Sequence, residues 1–250
     1  MFYKVCLETG DYGLGTGVVR WRCENGEVWS FLSYFSIVFT EKFYKAFFIL
    51  LIMAENNTLV PVDDYLTAGV HIGTKYKNAY SEKFVHRSRS DGLKIIDTEM
   101  TDNKLKVLIK VLSRYEPNDF VIMGRRENAK KALALFSKLI GCDVFTGRYL
   151  PGKLTNAGLE TFKQYKLVIV CDPLTDKNIL NEAFEQGAFT VGFCDTNNIT
   201  TKLDLVVPIN NKGKKSLGLA LHLLAKYYMV NRGIIKESEF KYTVEDFAGE

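Results

Sequence analysis

From residue 93 onward, short unbroken apolar runs alternate with longer stretches whose apolar positions recur every three to four residues. The runs at 93–97 (LKIID), 120–123 (FVIM), 143–146 (DVFT), 167–171 (LVIVC), 188–194 and 205–209 predict strands. Unbroken runs suit strands covered on both faces, as in a parallel sheet. Between the first two runs, Leu105, Leu108, Ile109, Val111 and Leu112 predict a helix. Thr101-Asp102 offers its N-cap, and Pro117 cannot continue it. Helices over 127–140 and 178–186 end at Gly141 and Gly187. A last, long helix over 216–231 starts at Ser216 as N-cap and ends at Gly233, and an acidic polar tail follows it.

Strand and helix alternating at this spacing imply right-handed crossovers. The fold class is therefore α/β: a doubly wound, mostly parallel sheet with helices on both faces. Function in such sheets collects at the carboxyl ends of the strands. The polar residues at those ends are Arg125, Arg126, Arg148, Asp172, Asp195, Asn210 and Asn211.

Residues 1–52 follow a different pattern. They hold both tryptophans, Trp21 and Trp29, and none of the prolines, and Phe31, Phe35, Phe39, Phe43, Phe47 and Phe48 crowd together. A signal peptide would need an early basic region and a small-residue cleavage site, which this segment lacks. A membrane span would need about 20 apolar residues, and Glu41, Lys42 and Lys45 interrupt the stretch 28–52. The preferred reading makes Met53 the initiator, ahead of a polar Ala54-Glu55-Asn56-Asn57, with residues 1–52 as upstream sequence; a membrane-attachment segment is the runner-up. Gly13-Leu14-Gly15-Thr16-Gly17 reads as a flexible turn, because the third glycine of a phosphate loop falls one residue early.

Charge refines this division. The formal net charge is +4 and the pI about 8.6, which permits a nucleic-acid partner without demanding one. Residues 1–52 carry five basic and five acidic side chains, so the whole surplus lies in residues 53–250. The cysteines Cys6, Cys23, Cys142, Cys171 and Cys194 form no CxxC pair or zinc spacing and read as buried thiols of a reducing compartment.

Enzyme motifs fail at defined positions. Asp172 follows a strand, but Leu174 stands where a haloacid-dehalogenase-type second aspartate belongs. Lys212-Gly213-Lys214-Lys215-Ser216 lacks the upstream glycine of a Walker A loop, and Pro208 holds that place. His71, His86 and His222 are too scattered to form a triad with a nucleophile. Asp172-Pro173 and Asp195-Thr196 read as turn caps. A nucleotide-binding or phosphoryl-transfer module built on Asp172 and Asp195 is the alternative function.

Basic residues instead recur at turns and helix edges: Lys75, Lys77, Arg87, Arg89, Arg125, Arg126, Lys130, Lys131, Arg148, Lys153, Lys212, Lys214 and Lys215. Tyr76 and Tyr149 sit beside some of them. Cations contact phosphate and tyrosine can stack on an unpaired base. Asn210, Asn211 and Gly213 add donors at a helix start, a favourable place for an anion.

Thr146-Gly147-Arg148-Tyr149-Leu150-Pro151-Gly152-Lys153-Leu154-Thr155-Asn156 is followed in order by Leu167-Val168-Ile169-Val170-Cys171-Asp172-Pro173, by Asn181-Glu182-Ala183 and by Cys194-Asp195-Thr196. Pro208-Ile209-Asn210-Asn211-Lys212-Gly213-Lys214-Lys215-Ser216-Leu217 completes the set. Upstream stand Ala68-Gly69-Val70-His71-Ile72-Gly73 and Asp91-Gly92-Leu93-Lys94-Ile95-Ile96-Asp97. Over residues 61–235 the chain resembles the archaeal and eukaryotic branch of the second small-subunit ribosomal protein family, whose eukaryotic members include the laminin-receptor precursor.

The resemblance implies a five-stranded, flavodoxin-like sheet. One helix between 93 and 123 replaces the coiled-coil insertion of bacterial members. It implies a structural constituent of the cytoplasmic small ribosomal subunit, touching ribosomal RNA and neighbouring proteins, with no catalysis, cofactor, metal, membrane or small-molecule substrate. The RNA-contacting positions it implies are His71, Lys75, Lys77, Arg87, Arg89, Arg125, Arg126, Lys130, Arg148, Lys153, Asn156, Asn211, Lys212, Lys214 and Lys215. Leu174 stands where relatives usually have arginine, Glu99-Met100 replaces a more basic pair, and Gly124-Arg125-Arg126-Glu127-Asn128 differs from the family's usual serine-arginine turn. Residues 1–52 match nothing in it, so the expected domains are 1–52 and 53–250, with a polar tail over 236–250.

Overall fold

The computed structural model describes residues 20–22, 28–30, 58–236 and 239–249. The chain divides into two compact units, Met1–Leu51 and Ile52–Glu250. In the first, β1 (Arg20–Arg22) pairs antiparallel with β2 (Val28–Ser30). The glycine turn, Cys6, Cys23, the Met53 boundary and most of 28–52 lie outside the described residues. Among those described, no helix is long and apolar enough to cross a membrane.

The second unit opens with α1 (Val62–Thr67). A hairpin of β3 (Val85–Ser88) and β4 (Lys94–Ile96) follows, then α2 (Thr98–Leu112). The main sheet holds β5 (Phe120–Gly124), β6 (Asp143–Thr146), β7 (Leu167–Val170), β8 (Phe189–Cys194) and β9 (Leu205–Pro208). Its order is β6-β5-β7-β8-β9, every neighbour parallel. Counted within the sheet this is 2-1-3-4-5, the flavodoxin-like order. Each residue of β5, β7 and β8 is buried, which is why these strands read as unbroken apolar runs.

Four helices complete the unit: α3 (Glu127–Ile140), α4 (Lys177–Gln186), α5 (Lys214–Asn231) and α6 (Val244–Ala248). Helices α2, α3 and α5 pack together on one face, where the Phe120 ring meets Tyr228 edge-on at 5.9 Å. On the other face α4 and the non-helical crossover 147–166 cover Val121, Met123, Val168 and Val170 with Tyr149, Leu154, Tyr165 and Ile179.

Several local expectations change. The run 93–97 is a strand, but it belongs to the hairpin and not to the main sheet. Helix α2 is capped by Asp97, whose side chain accepts from the Glu99 amide, and not by Thr101-Asp102. Those two are buried instead: Thr101 Oγ1 donates to the Pro208 carbonyl, and Asp102 accepts from Tyr65 Oη and the Leu59 amide. Helix α5 starts at Lys214, and Ser216 is buried within it. The N-cap position falls to Gly213, with no side-chain cap, and Asn210 Oδ1 shapes the turn before it by accepting from the Lys212 and Gly213 amides. The tail is not merely polar. A Thr243–Asp246 capping box starts α6, which buries Phe247 and Ala248 against α5 and α3.

Candidate nucleic-acid interface

Because all five strands of the main sheet run the same way, their carboxyl ends deliver Arg125, Arg126, Arg148, Asp172, Asp195 and residues 209–213 to one rim. A loop from far upstream joins them. Thr74 N donates to Thr196 Oγ1 at 3.0 Å, Asn78 Nδ2 to the Asn197 carbonyl at 2.8 Å, and Ser81 Oγ to the Thr196 carbonyl at 2.5 Å. Gly73 fits here because it lacks a side chain: a Cβ would lie 2.7 Å from Thr196 Cγ2 and 2.9 Å from the Lys94 carbonyl oxygen. This docking brings Lys75, Tyr76 and Lys77 to the rim, with Tyr76 80% exposed.

The two aspartates of the alternative reading sit at this rim as structural groups. Asp172 is 1% exposed. Arg126 reaches its Oδ2 through Nε at 2.8 Å and Nη2 at 2.5 Å, while Leu174 N and Asn198 Nδ2 donate to Oδ1 at 3.0 and 2.9 Å. The Leu174 contact is the expected turn cap. Asp195 is 2% exposed and caps its own turn, accepting from the Thr196 amide at 2.6 Å. Lys212 Nζ lies 3.0 Å from Asp195 Oδ2, an ion pair not aligned as a hydrogen bond. The switch point between β5 and β7, where ligands settle in flavodoxin-like sheets, is thus closed by Arg126 on Asp172. Asp176 lies behind it, and burial pushes its carboxyl up to about 6.

The thiols are equally unsuited to chemistry. Cys142, Cys171 and Cys194 are buried and unbridged, and burial raises the pKa of each. Among the described residues no three His, Cys, Asp or Glu side chains gather as a metal ligand set.

The expected contact residues fall into several environments. Lys75, Arg125 and Arg148 on the rim loops and Lys214 at the start of α5 are exposed, and among the described residues no carboxylate lies within ion-pair distance of them. Lys77, Arg126, Lys130 and Lys212 are committed to Glu82, Asp172, Glu127 and Asp195. His71, Arg87 and Arg89 line a groove beside the β3–β4 hairpin. Lys153 and Asn156 belong to the crossover 147–166, where Lys153 Nζ stands 4.8 Å from the Phe145 ring centroid and Asn156 Oδ1 accepts from Gly158 N. Lys215 turns toward a different groove, between α1, α5 and α6.

Two positions do not present a group to solvent. Asn211 is 1% exposed and donates to the Phe193 carbonyl at 3.1 Å, holding the loop after β9 onto β8. Tyr149 is buried, and its hydroxyl donates to Glu182 at 2.8 Å, so its ring is unavailable for stacking.

Glu182 was unassigned in the sequence, although it stands within the Asn181-Glu182-Ala183 motif. It also accepts from Gly152 N at 2.7 Å and Leu154 N at 3.4 Å, so one buried carboxylate shapes residues 149–155. Asp176 and Asn198 were missed as well, and Thr196 was read only as part of a turn. The only signal for Asp176 was a second aspartate four residues after Asp172, at a helix start.

The family described as ribosomal protein S2 matches residues 65–166 and 157–229. A small ribosomal subunit protein uS2 of Nanoarchaeum equitans is 41% identical over 192 residues, 76% of this chain and 96% of that protein. Its namesake from Thermoplasma acidophilum is 40% identical over 194 residues, 77% of this chain and 98% of that one. In Methanococcus maripaludis the figure is 40% over 195 residues, 78% and 88% respectively. These are names of ribosomal proteins and not of enzymes, in keeping with a rim whose aspartates are buried and engaged by neighbouring cations. With its family match, its relatives and its 2-1-3-4-5 parallel sheet in agreement, the chain belongs to the ribosomal protein S2 family.

Proposed function

We propose that this chain is a structural constituent of the small ribosomal subunit in the cytoplasm. In this reading it is held there by ribosomal RNA along the rim and by neighbouring small-subunit proteins. The observation that carries it is the charge arrangement at the rim. The Asp172 carboxylate is buried and hydrogen-bonded from within and that of Asp195 is buried and ion-paired with Lys212, while Lys75, Arg125, Arg148 and Lys214 stay exposed at separate points of the rim. Dispersed cations on a rigid edge suit a broad polyanion, whose affinity comes from displaced counterions.

The test is the salt dependence of binding to a small-subunit ribosomal RNA fragment. Arg125→Ala and Arg148→Ala are each expected to lower the slope of log K against log salt by about 0.9 without moving the melting temperature. Salt-independent binding, or a protein that stays out of small-subunit fractions on sedimentation, would overturn the reading.

A further inference from the structure

A groove of about 510 Å³ lies beside the β3–β4 hairpin, between it and residues 66–72. Ile72 faces Ile95 across an antiparallel bridge, so both side chains project from one face of the ladder. Leu93 extends this apolar lining. Around it stand four planar nitrogen-bearing groups, His71, His86, Arg87 and Arg89. The one lining carboxylate, Asp97, is occupied by the Glu99 amide at the cap of α2. Ile72 is 40% exposed, a large apolar side chain left open to solvent at the groove.

The lining has two demands. The apolar face calls for a flat, poorly hydrated surface, and the guanidinium groups call for an anion. A glutamate-rich peptide answers only the second. An unpaired RNA base with its phosphate answers both, since bases stack on imidazole and guanidinium planes and arginine grips the phosphate. The volume also lies within the roughly 300–1,000 Å³ of sites for molecules of nucleotide size.

We propose that this groove receives one unstacked nucleotide of an RNA strand, its base against Ile72 and Ile95 and its phosphate on Arg87 or Arg89. The proposal rests on the RNA-binding reading above and adds to it a pocket for a base.

The full chain is titrated with a short single-stranded oligoribonucleotide over a range of salt concentrations. Ile72→Ala is expected to weaken binding roughly tenfold, the order of one lost base contact, with the salt slope unchanged. Arg87→Ala is expected to lower the slope by about one. In isoleucine-methyl NMR, adenosine 5′-monophosphate is expected to shift Ile72 and Ile95, and ribose 5-phosphate to leave them in place. Unchanged affinity in Ile72→Ala with a retained salt slope would overturn the pocket and spare the broader interface. Loss of all salt-dependent binding in the wild-type chain would remove both. Methyl shifts produced by a glutamate-rich peptide and not by the nucleotide would assign the groove to a protein partner and overturn the proposal.

Discussion

Arg126 and Asp172 meet at a single oxygen: Nε and Nη2 of the guanidinium both donate to Oδ2, leaving Oδ1 to Leu174 N and Asn198 Nδ2. Every donor this buried carboxylate needs comes from the protein. The position that in a nucleotide-binding relative of this fold would face ligand is instead a cross-brace between the loops after β5 and β7.

Arg126→Ala should therefore cost about 2–3 kcal/mol. That is less than a fully buried pair would lose, because the Arg126 side chain is 32% exposed and solvent screens part of the interaction. Asp172→Asn should cost about 1 kcal/mol, since the neutral amide oxygen still accepts and the freed guanidinium can reach water. Urea denaturation of the two variants checks the asymmetry, and equal losses would show that buried charge is not what Arg126 relieves.

Asp176 gives a pH signature. Burial lifts its carboxyl from the ordinary 3.8 to about 6 in the folded chain. Between those values the folded state holds a proton that the unfolded state has released. The stability Asp176 contributes is thus intact below pH 3.8 and is lost as pH rises through about 6. The variant Asp176→Asn should match the wild type near pH 3.5 and exceed it by about 1–3 kcal/mol at pH 7. Denaturation at both pH values tests this, and a constant difference between them would show that the carboxyl does not titrate in that range.

Glu182 organises the crossover loop. Glu182→Ala leaves the buried Tyr149 hydroxyl and the Gly152 and Leu154 amides without their acceptor, at a cost of about 2–4 kcal/mol. Tyr149→Phe removes one bond and should cost about 1 kcal/mol. Amide exchange of residues 150–156 should accelerate strongly in the first variant and little in the second.

Phe247 anchors the C-terminal turn. Its ring is fully buried, and the His222 imidazole packs edge-on at 5.6 Å. Phe247→Ala should cost about 2–3 kcal/mol, capped by what it takes for residues 243–249 to detach. Proteolysis should then clip the tail while the body stays folded. An intact tail would mean that the capping box alone holds it.

Strands β5, β7 and β8 were legible because burial on both faces leaves no polar alternation to misread. Their shared direction made the rim legible too, since parallel strands must end together. What sequence did not reveal was partnership. The run LKIID looks the same whether its neighbours are parallel or, as here, the polar VHRS and residues 71–74. Asp97, Thr98, Thr101 and Asp102 are all cap-forming types within six positions, and only burial of the last pair decides for Asp97. Tyr149 and Asn211 advertise polar chemistry but spend it inward, on Glu182 and the Phe193 carbonyl. Phe247 stands between acidic residues and small ones, and its helix of five residues is too short to show a period.

The bond from Thr74 to Thr196 spans 122 positions. During synthesis the upstream loop emerges long before the strand that will hold it. A chain interrupted after β7 would own much of its hydrophobic layer and none of the finished edge. On the proposed reading, a fragment stalled there would already carry Arg125 and Arg148, but Lys75 would still wait for Thr196 and Lys214 would be unmade, so the full set of rim cations aligns only as the chain nears completion.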